Sequence, residues 1–337
     1  MPKIRKLLSY LAGGLLALIV LLPCVGFVYE RSAEARDRRL NHQPGQLIDV
    51  GGYSMHLYCI GQGSPTVVLD SGLGDYWLSW FKVQPQISQL TRVCSYDRAG
   101  IGWSDPSPQK RTSKIYAQEM RLLLQRASIP APYVLVGHSM GGINVRIFTD
   151  LYPADVAGMI LVDSTDSHFD RRLSSKSNQF IGGFRRVLDV QGFLMPIGIP
   201  RLLGWCGNPI LEPQSMARTV ECQRQFFREM HDEWIGLDEE DFHPQVTSPL
   251  GKMPLVVLSH DPDVPFMPGL PADVSIDVNQ AWESMQLELV RLSANSSRVI
   301  AKGSAHYVQV DRPDVVIKAV QKVVGECRAA QQPASRP

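Results

Sequence analysis

Residues 133–142 read YVLVGHSMGG, and no other stretch limits the fold of this chain as strongly. The first half is a continuous apolar run rich in valine, the pattern of a strand buried on both faces at the centre of a parallel sheet. Apolar residues return at helical spacing at Ile143, Ile147, Phe148 and Leu151, and Pro153 stops that helix. Ser139 therefore falls on a strand-to-helix turn. A turn so sharp strains the backbone and brings neighbouring main chain close, which explains glycine at 137, 141 and 142.

The rest of the chain repeats this alternation. GQLIDVGG and YSMHLYCIG predict a hairpin turned at Gly51 and Gly52, and TVVLD, RVCSY, GMILVD, PLVVLS and SRVIA predict short strands. Helices are predicted over 81–90, over 112–127 with Thr112 or Ser113 as cap, over 140–151, along the face Val278, Ala281, Trp282, Met285, Leu289 and Leu292, and over 313–324. Strands and helices in alternation mean a parallel sheet covered by helices. The pattern lapses from Ser164 to Lys252, an interruption too long for a loop, so an inserted helical lid is expected there.

Composition removes some partners. The 337 residues are 44% hydrophobic and 20% charged, as in ordinary globular proteins, and a formal charge of +1 provides no electrostatic footprint for nucleic acid. Six cysteines form no CxxC pair and no metal-ligand spacing, so most read as small buried apolar side chains. Cys206 and Cys222 could join within the insertion in an oxidising compartment.

Residues 7–29, LLSYLAGGLLALIVLLPCVGFVY, hold no charge and follow Lys3, Arg5 and Lys6. As a helix they extend about 34 Å, enough for a hydrocarbon layer of about 30 Å. A cleaved signal peptide would have a shorter apolar core and small residues at the cut, so an uncleaved anchor is expected. Arg31, Arg36, Arg38 and Arg39 balance the basic residues in front, and the charge count does not fix orientation. A six-residue basic head retained in the cytoplasm would place the globular part outside.

A serine hydroxyl is a poor nucleophile at neutral pH and needs a base within hydrogen-bond reach, itself oriented by an acid. His306, in GSAHYVQVDRP between the last strand and last helix, can lean across the carboxyl edge of the sheet, where ligands bind. Asp261, just after PLVVLS, is positioned to hold its far ring nitrogen.

GHSMGG, the segment YDRAGIGWSD at 96–105, an acid after a late strand and GSAHYVQVDRP together resemble the α/β-hydrolase superfamily, over roughly residues 45–326. The resemblance implies an α/β fold with a mostly parallel eight-stranded sheet, a core of 45–163 and 253–326, and a lid of 164–252 after the sixth strand. A juxtamembrane linker at 30–44 and a flexible tail at 327–337 complete the expected layout. It implies serine hydrolysis of a carboxylic ester or related acyl bond, without metal or organic cofactor. The oxyanion donors map to the backbone amides of Met140 and Leu73, the latter in DSGLGDYW, where Ser71 replaces a frequent histidine. For the acid, Asp261 ranks first, Asp263 second and Asp163, at the end of the sixth strand, third. No aspartate occupies the turn, which disfavours epoxide hydrolase and haloalkane dehalogenase chemistry. Acyl transfer, cofactor-free perhydrolysis and a tethered binding protein without turnover are the alternatives. The apolar lid pieces, such as GFLMPIGIP, suggest a partly hydrophobic small-molecule substrate, and nothing in the sequence fixes the oligomeric state.

Other residues read as structural. Asp97 and Arg98 are expected to brace their loop, and GIG at 100–102 lacks the third glycine of a dinucleotide site. His138, His168 and His260 are expected as structural or lid-facing neighbours, and Asp311 as the cap of the last helix.

Overall fold

The computed structural model describes residues 2–166, 169–238, 250–267 and 269–331, so His168 lies outside the described residues. Among these, β1 (Gln46–Asp49), β2 (Ser54–Ile60), β3 (Thr66–Asp70), β4 (Val93–Tyr96), β5 (Tyr133–His138), β6 (Val156–Val162), β7 (Leu255–His260) and β8 (Ser296–Ala301) form one sheet. Its order is β1-β2-β4-β3-β5-β6-β7-β8. The pairs β1–β2 and β2–β4 are antiparallel and all later pairs are parallel. The mostly parallel eight-stranded sheet is thus present.

The helices are α1 (Pro2–Leu40), α2 (Gln84–Ile87), α3 (Ser113–Arg126), α4 (Gly141–Leu151), α5 (Ser175–Leu194), α6 (Ile199–Leu202), α7 (Gln214–Glu221), α8 (Phe226–Asp238), α9 (Ala272–Val290), α10 (Val308–Asp311) and α11 (Pro313–Gln331). Thr112 caps α3, its hydroxyl accepting from the Ile115 N–H at 3.4 Å. Where one helix was expected over 81–90, a 3-10 turn at Trp77–Trp80 and the four-residue α2 stand instead, with Pro85 placed at the start of α2.

Alternation along each strand makes two cores. Val68, Leu135, Met159, Leu161 and Val257 pack with α3, α4 and Leu289, whereas Val67, Leu69, Val134, Val136, Ile160 and Leu258 pack with Trp80, Ile87 and the valines of α11. Every residue of β5 is buried, as its unbroken apolar run requires. Fully burying each such side chain stabilises the fold by about 1.5–3 kcal/mol.

The chain divides into two compact units, Met1–His42 with Val187–Arg228, and Gln43–Arg186 with Glu229–Pro337. The residues expected as a lid, 164–252, fall to both. In the larger unit, Cys59 and Cys94, cross-strand partners on β2 and β4, are joined by a disulfide that the spacing did not suggest.

In the smaller unit, α1 runs unbroken to Leu40, so the expected linker is helical for most of its length. No glycine or proline interrupts residues 30–40, and Glu34 lies one turn from Arg38, 3.9 Å away. Ala33 and the Glu30 carboxylate are buried; Arg201 donates to Glu30 at 2.9 Å and also reaches Asp37. Farther along, Asn41 donates to Thr219 at 2.9 Å, and Arg224 to Glu34 at 2.9 Å. Cys206 and Cys222 form a disulfide in this unit. The first part of α1 is long and apolar enough to cross a membrane. The tail expected at 327–337 is helical to Gln331, with Cys327 buried; 332–337 lie outside the described residues.

Candidate active site

Ser139 follows β5 directly and has φ +51°, in the left-handed region that a non-glycine residue seldom adopts. The turn is secured on both sides, because Ser139 donates its N–H to the Val162 carbonyl at 3.1 Å and accepts from the Thr165 N–H at 3.1 Å. A Cβ at Gly137 would meet the Gly141 carbonyl oxygen at 2.5 Å, and one at Gly141 would collide with the backbone of Asp70. Close packing of main chain around the serine therefore dictates these glycines. Met140 is the cap residue of α4, which puts its amide at the positive end of a helix dipole.

His306 sits in the loop after β8. Its Nδ1–H donates to Asp163 Oδ2 at 2.7 Å, and its backbone N–H donates to Phe266 at 3.2 Å. Phe266 lies against the imidazole with ring centroids 4.2 Å apart, and Trp282 meets it edge-on at 5.2 Å. With Nδ1 carrying the proton, Nε2 keeps its lone pair and can act as a base.

Asp163 ends β6 in another positive-φ turn, φ +41°, and is fully buried. It accepts from the His260 backbone N–H and Nδ1–H and from the Trp282 indole, each at 3.0 Å. Burial alone would raise this carboxyl. The hydrogen bonds from His260 and His306, with their charge, outweigh it and hold the group well below the usual carboxylate range. For His260, burial lowers and the Asp163 carboxylate raises, and the net direction is up.

The acid ranked first from sequence requires correction. Asp261 turns away from His306: it accepts from the Gly303 N–H at 2.9 Å, which leads the lowering of its pKa, and from Lys302 Nζ at 3.1 Å. Asp263 is exposed, 3.6 Å from Lys302. The chain bends immediately after β7, and the Asp261 N–H donates to Ser304, which commits that residue to the β8 side. Asp163, ranked third, is the carboxylate on His306.

His138, expected as a structural neighbour, lies with its ring centroid 4.7 Å from that of His306 and donates Nε2–H to the His306 carbonyl at 3.1 Å. Burial pushes it down to about 3, with His306 adding to the effect, so it is neutral at ordinary pH. Asp311, expected to cap the last helix, accepts from the Ala305 N–H at 3.0 Å and braces the loop of His306.

The loop carrying Leu73 is held by Arg98. The guanidinium donates to the carbonyls of Ser71 at 2.8 Å and Gly72 at 2.6 Å, to Asp70 at 3.0 Å, and to Glu233 at 2.6 Å. Glu233, on α8, also accepts from the Gly74 N–H at 2.8 Å. Asp97 braces the same region, accepting from the Trp77 and Trp103 N–H groups and from His56 Nδ1–H at 2.8 Å. The bracing roles expected of Asp97 and Arg98 are those observed; Glu233 and His56 had no motif to reveal them.

Among the described residues no cluster of His, Cys, Asp or Glu is arranged to hold a metal ion. A cleft of about 660 Å³ between Pro262–Pro265 and the face of α9 bearing Asn279, Glu283 and Leu287 includes none of Ser139, Asp163 and His306.

The α/β hydrolase fold family matches residues 65–193. The chain is 26% identical over 274 residues to the uncharacterized protein YqjL of Bacillus subtilis, covering 81% of this chain and 88% of that one. Two other relatives are longer proteins, of which the match spans 22% and 44%. Among solved structures, a thermophilic esterase from Thermogutta terrifontis superposes with a TM-score of 0.59 at 19% identity, over 85% of this chain and 99% of that one. A membrane phospholipase A described as a bacterial virulence factor superposes with a TM-score of 0.62 at 18% identity, over 97% and 99%. Sheet order, the strained serine turn and the family match over residues 65–193 agree: the chain has the α/β-hydrolase fold, and the match supports a hydrolase.

Proposed function

We propose that this protein is a membrane-anchored serine hydrolase that cleaves carboxylic esters, or related acyl bonds, of partly hydrophobic small molecules. One observation carries the reading: the buried Asp163 fixes the His306 tautomer, while His138, directly before Ser139, packs on the same imidazole.

In this reaction Ser139 Oγ attacks the acyl carbon as its proton passes to His306 Nε2, and Asp163 stabilises the imidazolium. The Met140 and Leu73 amides receive the oxyanion, and loss of one such donor costs about 3–4 kcal/mol of transition-state stabilisation. Collapse expels the alcohol, which takes the proton from His306. Water, deprotonated by the same nitrogen, then releases the acid and frees Ser139. The names of the esterase and the phospholipase A whose fold this chain shares point to the same bond type.

Residues 7–29 form the membrane-spanning part of α1 in this reading. Two disulfides, Cys59–Cys94 and Cys206–Cys222, suit an oxidising compartment and so an extracytoplasmic globular part.

Treatment with a fluorophosphonate should add one phosphonyl group, located on Ser139 by peptide mass, and Ser139→Ala should lose both the adduct and ester turnover. Folded protein without adduct would favour a binding protein on a hydrolase scaffold. Adding hydroxylamine, other alcohols or peroxide during turnover distinguishes transfer or perhydrolysis from hydrolysis through the products.

A further inference from the structure

The smaller unit places a stretch of the inserted segment against α1 at the height where its charge-free run ends. A Cβ added at Gly26 would collide with the Ile197 carbonyl, and one at Gly198 would touch the Tyr29 ring at 3.0 Å. One turn beyond Gly26, the first acidic residue of α1, Glu30, is buried against Arg201 at 2.9 Å. Gly26 lies three residues, about 4.5 Å, inside the end of the 7–29 run. Residues 195–201 are therefore packed on α1 within about one turn of the end of the charge-free run.

The side chains around this contact are apolar and open. Phe193 is 82% exposed, Leu202 65%, Leu203 56% and Trp205 47%, while the charged Arg201 among them is turned inward onto Glu30 and Asp37. The Trp205 N–H returns to the Pro200 carbonyl at 2.8 Å, which keeps the tryptophan beside the contact. Water would meet an unusual concentration of large apolar groups there. Tryptophan and leucine at this depth are what a membrane interface accepts.

We propose that residues 193–205 form a second membrane-contacting element, immersed in the leaflet where α1 emerges, with the lipid surface as its partner. This rests on the anchored reading above and not on the identity of the reaction. The Arg201 clamp sets the depth: it buries Glu30, the first acidic residue past the run, and fixes the apolar side chains beside it, while the neighbouring Arg31 stays exposed, its guanidinium over the Phe27 ring. Asn41 and Thr219 pair eleven residues beyond Glu30, about 16 Å farther along α1, so α7 stands clear of the bilayer.

The test uses the full chain in phosphatidylcholine nanodiscs, with Cys24→Ser and Cys327→Ser as background, both disulfides kept, and an environment-sensitive fluorophore on one introduced cysteine at a time at Phe193→Cys, Leu203→Cys, Leu15→Cys and Ser215→Cys. Lipids spin-labelled near the headgroup should quench the labels at 193 and 203 about threefold more than the label at 215, which should respond to an aqueous quencher instead. Labels at 193 and 203 that behave like the one at 215 would overturn the proposal. So would labels shielded from both quenchers, which would mean that protein, such as a second copy, covers the patch. The Leu15 label keeps the two readings apart: deep-lipid quenching there establishes the span whatever the patch does, and its absence overturns anchor and patch together.

Discussion

The Asp163 carboxylate lies 2.7 Å from Nδ1 of His306 and takes its other hydrogen bonds from His260 and Trp282, so its only bond into the His306 loop is to the imidazole. Asp261, one residue beyond β7, spends its oxygens on Lys302 and Gly303. Replacing Asp163 with Asn should therefore lower kcat roughly 10³-fold or more, because the amide destabilises both the needed tautomer and the imidazolium. Asp261→Asn should change kcat by no more than about threefold. Steady-state hydrolysis of a p-nitrophenyl ester by both variants decides. The reverse ranking would restore the assignment made from sequence.

The difference between these two aspartates shows what one sequence can display. The strands, the serine turn and the histidine loop were legible because buried parallel strands and a crowded turn impose composition locally: β5 is apolar throughout, and glycine at 137 and 141 is the residue that the neighbouring backbone admits. The acid was not legible, since its identity depends on how the loop after β8 crosses the end of β7 to reach β6. Asp163 and Asp261 both end strands, and nothing in the sequence says toward which neighbour each bends. The Arg98–Glu233 pair, separated by 135 residues, had no periodic or motif signal at all. The helical course of residues 30–40 was hidden for the opposite reason: a charged stretch suggests a linker unless a partner such as Arg201 is known to bury its Glu30.

The Arg98 fork should not tolerate lysine. Its guanidinium joins two carboxylates to the Ser71 and Gly72 carbonyls, whereas an ammonium can reach only part of that set and leaves buried acceptors unmatched. Arg98→Lys should cost about 1–3 kcal/mol of stability, since the charge remains but a buried acceptor loses its donor. Because the same loop carries the Leu73 amide, kcat should fall in the fraction that remains folded. Urea denaturation and active-site-titrated kinetics measure the two effects. A lysine variant with the wild-type midpoint would show that the network is not holding the loop.

Alanine at position 137 tests the close approach at the turn. The new methyl would lie 2.5 Å from the Gly141 carbonyl oxygen and 2.6 Å from the Gly142 Cα, both main chain that cannot rotate aside. Strain of this kind destabilises by about 1–3 kcal/mol and should displace Ser139 from its left-handed conformation. Gly137→Ala should accordingly lose fluorophosphonate labelling by a larger factor than it loses stability. Gly325→Ala, on α11 with open space around the site, provides the control and should be neutral or slightly stabilising. Equal behaviour of the two alanine variants would mean that the turn has room the geometry denies.

His138 makes the acid side of the stability profile predictable. Burial pushes its folded value down to about 3, from an ordinary value near 6.5, while its Nε2–H is held by the His306 carbonyl. Between those two values the unfolded chain binds a proton that the folded chain does not, so stability falls as the pH drops from about 6.5 toward 3. By pH 5 the loss is on the order of 2 kcal/mol. Asp163, whose folded value is depressed, adds a contribution of the same sign, present above its unfolded value near 3.8 and lost as the pH falls further, so the two separate in range. His138→Gln removes the titration and keeps an amide that can donate toward the His306 carbonyl. It should flatten the fall in unfolding free energy between pH 7 and pH 5 while leaving the steeper drop below pH 4. A variant with an unchanged slope across pH 5–7 would show that His138 takes up its proton in the folded state, and the packing of its ring against His306 would then have to accommodate a charge.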